Sequence, residues 1–188
     1  MTDIFGDFVE KGDTQEYLIL NFSPNSLPIQ ERWRNNGLSA DFIADYWSTF
    51  FPSLDISTQE RQADIKHAIA YIANELLENA MKFSFDTVKR TISIGLYLSY
   101  EDLRFYVTNN IAPRSAEQFQ DFIRKLLTED TDSLYIRQLE SNAGEEQNQV
   151  SRLGFLTMIN DYHTRLAWKF ETVEPEIITV TTMVKLAI

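Results

Sequence analysis

The sequence predicts an α+β fold: a two-layer sandwich in which a mainly antiparallel sheet carries helices on one face. Three observations point there. A long apolar stripe at helical spacing runs from about Thr58 to Phe83; two alternating runs follow it, with a turn at Glu101-Asp102 between them; and the C-terminal part reads as a helix followed by two strands. Strands that arrive in hairpins rather than in regular strand-helix alternation favour antiparallel pairing, with the helices collected on one side.

Residues 1–15 are polar and acidic, contain Gly6 and Gly12, and read as a loose lead-in. Tyr17, Leu18, Ile19, Leu20 and Phe22 form a short apolar run closed by Ser23-Pro24-Asn25, which predicts a strand over Glu16 to Phe22. Ser23 to Ser26 and Arg32 to Gly37 read as a polar loop with basic and aromatic character, either an ordinary surface loop or a contact site. Ser39 offers an N-cap to a helix through Phe42, Ile43, Tyr46, Trp47 and Phe50, which Pro52 must end. Trp33 and Trp47 could line a partner groove, but aromatics at helical spacing more often pack into a core.

Ile65, Ile69, Ile72, Leu76 and Phe83 supply the stripe of the long helix. Ile92, Ile94, Leu96 and Leu98, then Leu103, Phe105 and Val107, alternate as the two arms of a β-hairpin. Phe119, Phe122, Ile123, Leu126 and Leu127 predict a helix over Ser115 to Leu127, and Asp132 or Ser133 caps another through Leu139. Glu140 to Gln149, with Asn142-Ala143-Gly144, reads as a loop of functional length. Ser151 caps a helix through Tyr162; Leu166, Trp168 and Phe170 alternate; and after Glu174-Pro175 the residues Ile178, Val180, Val184 and Leu186 form a last strand. Without an internal repeat, the 188 residues fit a single domain.

Composition narrows the function. A net charge of -11 disfavours nucleic acid, whose binding needs Lys and Arg to neutralise phosphates. No apolar run reaches the ~20 residues that span a bilayer, and the N-terminus lacks the pattern of a signal peptide, so a cytoplasmic protein with no membrane partner is expected. The chain has no cysteine and two histidines far apart, His67 and His163, which excludes disulfides and thiolate sites and leaves little for a metal cluster or a Ser-His-Asp triad.

The long helix contains Asn74-Glu75-Leu76-Leu77-Glu78-Asn79-Ala80-Met81-Lys82. With Glu75 at zero, Asn79 lies about 40° to one side and Lys82 about 20° to the other, so an acid, an amide and an amine share one stripe. The apolar stripe centres about 90° away, which puts the trio at its margin. Such groups can serve as a general base, a metal ligand and a phosphate contact. Equally, they can form an ordinary solvated edge with local pairs Glu75 to Asn79 and Glu78 to Lys82.

Glu75 to Lys82 resembles the N-box of the GHKL (Bergerat-fold) ATPase and kinase superfamily. The leading strand and helix are similar to those of the anti-sigma-factor kinases, and Asn109-Asn110-Ile111 with Leu134-Tyr135 is similar to the SiaB-type small bacterial protein kinases. The resemblance covers most of residues 16–188. It implies ATP and Mg²⁺ as cofactors, Glu75 as the catalytic base, Asn79 as the metal ligand and Lys82 as a phosphate contact. It also implies that Asn109 meets the adenine, and that Arg152 and Gly154 belong to the phosphate lid.

The glycine boxes depart from that pattern. Where the family has Asp-x-Gly-x-Gly, this chain has Asn109-Asn110-Ile111-Ala112-Pro113; a neutral acceptor in place of a carboxylate costs on the order of 1 kcal/mol. Ile111 and Pro113 add bulk and a fixed φ where backbone would approach a ligand. In the second box, Val150-Ser151-Arg152-Leu153-Gly154-Phe155, only Gly154 remains to bring bare N–H groups to a phosphate. Two function classes follow: a signalling switch protein of the small Ser/Thr kinase type that regulates a partner protein, and an inactive relative that sequesters a partner without nucleotide. A homodimer is compatible with either. An unrelated enzyme using Asp161 and Glu171 as paired carboxylates is a third reading, to which spacing gives no support.

Overall fold

The computed structural model describes residues 1–12, 16–23, 29–50, 56–84, 91–99, 102–144 and 153–188, with side chains left undescribed at 29–33, 56–58 and 141–144. Its elements are β1 (Thr2–Phe5), β2 (Glu16–Phe22), α1 (Ile29–Ser48), α2 (Ile56–Phe83), β3 (Ile92–Leu98), β4 (Asp102–Ile111), α3 (Pro113–Thr128), α4 (Thr131–Gly144), α5 (Leu153–Asn160), β5 (Arg165–Glu174) and β6 (Ile177–Ala187). The strands form one six-stranded sheet in the order β1-β5-β6-β4-β3-β2, every neighbouring pair antiparallel. The helices cover one face, giving the two-layer α+β sandwich that the sequence predicts.

The apolar stripe of α2 drives the layering. Ile69, Ile72 and Leu77 have 0% exposure and Leu76 2%, so each contributes roughly 1.5–3 kcal/mol of burial against the sheet. In β4 the alternating residues Leu103, Phe105, Val107, Asn109 and Ile111 are all buried. The register Val107↔Thr182 and Asn109↔Val180 sets Thr182 and Val180 of β6 beside them on the helix-covered face. Trp47 at 2% exposure belongs to this core rather than to a groove; the side chain of Trp33 lies outside the described residues.

Three predicted boundaries need correction. The lead-in is structured: β1 pairs with β5 from Thr2↔Glu171 to Phe5↔Trp168. Helix α1 begins at Ile29 and runs through the segment Arg32 to Gly37 that the sequence presents as a loop, so Ser39 is interior and caps nothing. The physical reason is a stripe that continues upstream, Asn36, Ala40, Ile43, Ala44 and Trp47, all buried, which tertiary packing favours over the local turn propensity of Asn35-Asn36-Gly37. Helix α4 starts at Thr131, with Asp130 Oδ1 accepting from the Ser133 N–H at 2.9 Å, and continues to Gly144 where a loop was expected from Glu140; residues 145–149 lie outside the described residues.

Because β1 and β2 occupy opposite edges, the chain leaves β1 across the sheet, and residues 6–12 begin that crossing. The crossing uses the face without helices. Phe8 packs edge-on to Tyr106 at 6.1 Å, the Tyr106 hydroxyl donates to the Val9 carbonyl at 2.9 Å, and Glu10 pairs with Lys169 at 2.9 Å. Gly6 makes the bend at φ +72, where an added Cβ would lie 2.7 Å from the Leu166 carbonyl oxygen. On the same face, near the start of β4, the Asp102 carboxylate is held by Arg104 at 2.8 Å and Lys185 at 2.8 Å and accepts from Ser99 Oγ at 3.1 Å. Among the described residues, no helix is long and apolar enough to cross a membrane.

Candidate functional site

Between α2, α3, the first turn of α5 and the sheet lies a cavity of about 200 Å³. Its floor is sheet, with Val107, Asn109 and Thr182; its walls include Asn79 of α2 and Phe119 and Phe155 of α3 and α5. Period-two alternation in β4 turns Asn109 inward with the core residues, while helical spacing brings Leu76, Asn79, Ala80 and Phe83 of α2 to the same wall. The mostly apolar lining with a few convergent polar groups is the usual make-up of a small-molecule pocket, although the volume is below the usual ~300–1,000 Å³. Ile111 and Phe155 line the cavity and narrow it without filling it.

Of the six predicted site residues, Asn79 and Asn109 share this cavity. Asn109 is buried, and its amide nitrogen donates to the Ala80 carbonyl at 3.4 Å, which leaves the amide oxygen as the acceptor open to a ligand. Asn79 donates from Nδ2 to the Glu75 backbone carbonyl at 2.8 Å, so its oxygen likewise remains for a cation or a donor. The expected side-chain pairs along α2 do not form as written: Glu78 accepts from Asn74 at 2.9 Å, and the Lys82 ammonium lies over the Phe83 ring, 5.8 Å from its centroid. Lys82 is exposed and apart from the cavity lining. Arg152 lies outside the described residues.

Glu75 sits one helical turn before Asn79, half-buried and directly against Gly154. A Cβ on Gly154 would fall 2.0 Å from Glu75 Oε2, so the bare glycine is what lets the Glu75 carboxylate lie against α5 in this position. Burial, and then the neighbouring Glu78 carboxylate, push the Glu75 carboxyl above the usual range, because both penalise the ionised form. The turn just after α5 is held on α2 by a ring stack of Tyr162 on Tyr71 at 5.0 Å and by the Tyr162 hydroxyl, 3.3 Å from His67 Nδ1. The other carboxylate pair raised by the sequence is split, Glu171 being paired with Lys169 at 3.3 Å on the opposite face of the sheet.

Sequence reading did not find Ser115, Gln118 and Thr182, which also line the cavity. The signal for Thr182 was present, since Thr179, Thr181 and Thr182 interrupt a mostly apolar strand, and alternation sends Thr181 to bond Thr108 at 3.0 Å and Thr182 inward. Pro113 begins α3 at its first turn, where a missing N–H costs nothing, so its fixed φ starts a helix rather than obstructing a loop.

Of the groups that the N-box resemblance assigns to Mg-ATP, the described cavity lining contains Asn79 and Asn109, while Lys82 stands apart from it. The cavity has room for a planar base, with the Asn109 amide and the Thr182 hydroxyl among its polar groups. Among the described residues no group of three or more His, Cys, Asp or Glu could hold a metal by itself, so a cation at Asn79 would need phosphate oxygens to complete its shell. No family model matches the chain, and no curated protein matches its sequence. The likeness lies in the fold, the α+β sandwich just described, which solved structures share. One of them is a chain from the crystal structure of the SiaB-SiaC complex from Pseudomonas aeruginosa, with a TM-score of 0.62 over 90% of this chain and 89% of that chain, at 11% identity. At that identity, what the two share is the fold.

Proposed function

We infer that this chain is a regulatory switch protein that acts on a partner protein, with Mg-ATP as the ligand of the α2 site and transfer to a Ser or Thr hydroxyl as its chemistry. The observation that carries the reading is the convergence of Asn79 and Asn109 on one apolar cavity, with Glu75 a single turn away. The fold likeness to a chain from a two-protein complex supports the partner. Bound Mg-ATP supplies the phosphoryl group and part of the charge neutralisation. Asn109 and Thr182 would hold the base, Asn79 would offer its oxygen to the metal, and Lys82 and the backbone at Gly154 would meet phosphate, as would Arg152 by the resemblance. Glu75 receives the hydroxyl proton; its raised pKa brings it nearer to the operating pH, where a general base works best.

A second reading, a partner-sequestering module without nucleotide, is favoured by the close packing of Gly154 on the Glu75 carboxylate, which leaves no space between them for a reacting group. Release or transfer of the γ-phosphate of labelled ATP, measured with Mg²⁺ on the purified chain, separates the two. The first reading predicts turnover that falls roughly 10²- to 10⁴-fold in Glu75→Gln. No turnover, or turnover indifferent to Glu75→Gln, assigns the second.

A further inference from the structure

The two edges of the sheet differ. Strand β1 is four residues long, a length that discourages further pairing. Strand β2 is a seven-residue edge, Glu-Tyr-Leu-Ile-Leu-Asn-Phe, with no Lys, no Pro and no register shift against β3, and its one charge, Glu16, sits at the strand's end, so most of the edge is left unblunted. All seven residues are exposed or half-buried, with Tyr17 at 56% and Ile19 at 39% exposure on the open face. On the helix-covered side, Leu38 and Phe42 of α1 are 58% and 52% exposed, and with Leu20 and Phe22 they line a shallow groove beside β2. Helix α1 therefore overhangs the edge and offers apolar cover to the inward side chains of one more strand.

We propose that a second copy of this chain completes the sheet, β2 pairing antiparallel with its own symmetry mate about a two-fold axis at Ile19. Centring on Ile19 uses all seven residues and sets Ile19 opposite Ile19, Leu18 opposite Leu20, Tyr17 opposite Asn21 and Glu16 opposite Phe22. Opposed residues of an antiparallel pair point to the same face, so the helix-facing Leu18, Leu20 and Phe22 of one copy continue the helix-facing row of the other. The sole charge in the strand, Glu16, meets an aromatic ring and not its own copy, so a protein of net charge -11 escapes like-charge repulsion at this contact. Leu38 and Phe42 of the two α1 helices then meet across the axis, above the joined sheet. The interface is isologous, so it closes at two copies and leaves the short β1 strands as the outer edges.

The absence of native cysteine makes the geometry directly testable. Opposed Cβ atoms at about 4.5–5.5 Å approach disulfide range, so Ile19→Cys treated with diamide should give a covalent dimer, whereas Ile4→Cys on the other edge strand, 55% exposed, should not. Sedimentation of the unmodified full chain should show a dimer that Leu38→Asp and Ile19→Lys each convert to a monomer, with far-ultraviolet circular dichroism unchanged. A monomer at 100 μM, a dimer that survives both substitutions, or cross-linking equal at positions 4 and 19 overturns the proposal. The nucleotide reading is unaffected by any of these outcomes, because β2 contributes nothing to the cavity lining.

Discussion

Gly154 is the position at which one methyl group tests how the site is built. It is buried in the first turn of α5, and a Cβ placed there falls 2.0 Å from Oε2, 2.9 Å from Cδ and 3.4 Å from Cγ of Glu75. The clash is with the far end of a flexible side chain, so Gly154→Ala forces the Glu75 carboxylate to turn away while the backbone stays. Holding Glu75 off its preferred rotamer costs about 0.5–1.5 kcal/mol, and alanine in a helix gains about 1 kcal/mol over glycine. The terms offset, and the net change in stability should stay within about 1 kcal/mol, or roughly 2–4 °C in Tm for a chain of this size. The carboxyl itself should respond: displaced from the shelter of Gly154, its pKa moves down toward the ordinary glutamate range. Thermal melts and a carbon-13 NMR titration of Glu75 measure both. A fall in Tm beyond about 8 °C would mean that the packing of α5 on α2 cannot yield, and an unmoved Glu75 pKa would mean that Gly154 is not what shelters it.

Other consequences concern the scaffold. Asp102→Ala leaves Arg104 and Lys185 without their shared carboxylate; both cations keep some access to water, so the cost in denaturant unfolding should be about 1.5–3 kcal/mol. Burial opposes ionisation of Asp102, but bonds from Lys185, Arg104 and Ser99 outweigh it and hold the carboxyl below the usual range. Its contribution is therefore present above the ordinary aspartate range and lost as pH falls through the lower folded value, so acid unfolding of the wild type should lose a stabilising component that Asp102→Asn lacks. Tyr106→Phe removes the donor to the Val9 carbonyl and should cost about 1 kcal/mol, read as faster hydrogen exchange and proteolysis within residues 6–11 while β4 stays protected.

The elements legible in the sequence are those whose own periodicity carries the burial. The α2 stripe, the β3–β4 hairpin and the β5–β6 pair repeat apolar residues often enough to fix type and facing. Strand β1 was illegible because four residues hold too little alternation, and its place depends on β5, which arrives more than 150 residues later. The start of α1 was hidden by Asn35-Asn36-Gly37, whose turn propensity is local, whereas the burial of Asn36 is a tertiary fact. At the site, helical geometry indicates that Glu75, Asn79 and Lys82 share a stripe, but not that Asn79 alone of the three reaches the cavity. Which flank of a helix margin faces a pocket is decided by the elements packed against it, here α3 and α5. Asn109 was the better-marked residue: alternation from Leu103 to Ile111 commits it to the buried face, and a buried amide needs partners.

The most direct measurement is isothermal titration of the purified chain with Mg-ATP, repeated on Asn109→Leu. The account predicts saturable heat for one nucleotide per chain in the wild type, and its loss when leucine removes the amide and fills the floor of the cavity. No heat at millimolar nucleotide, or equal binding by Asn109→Leu, would contradict it.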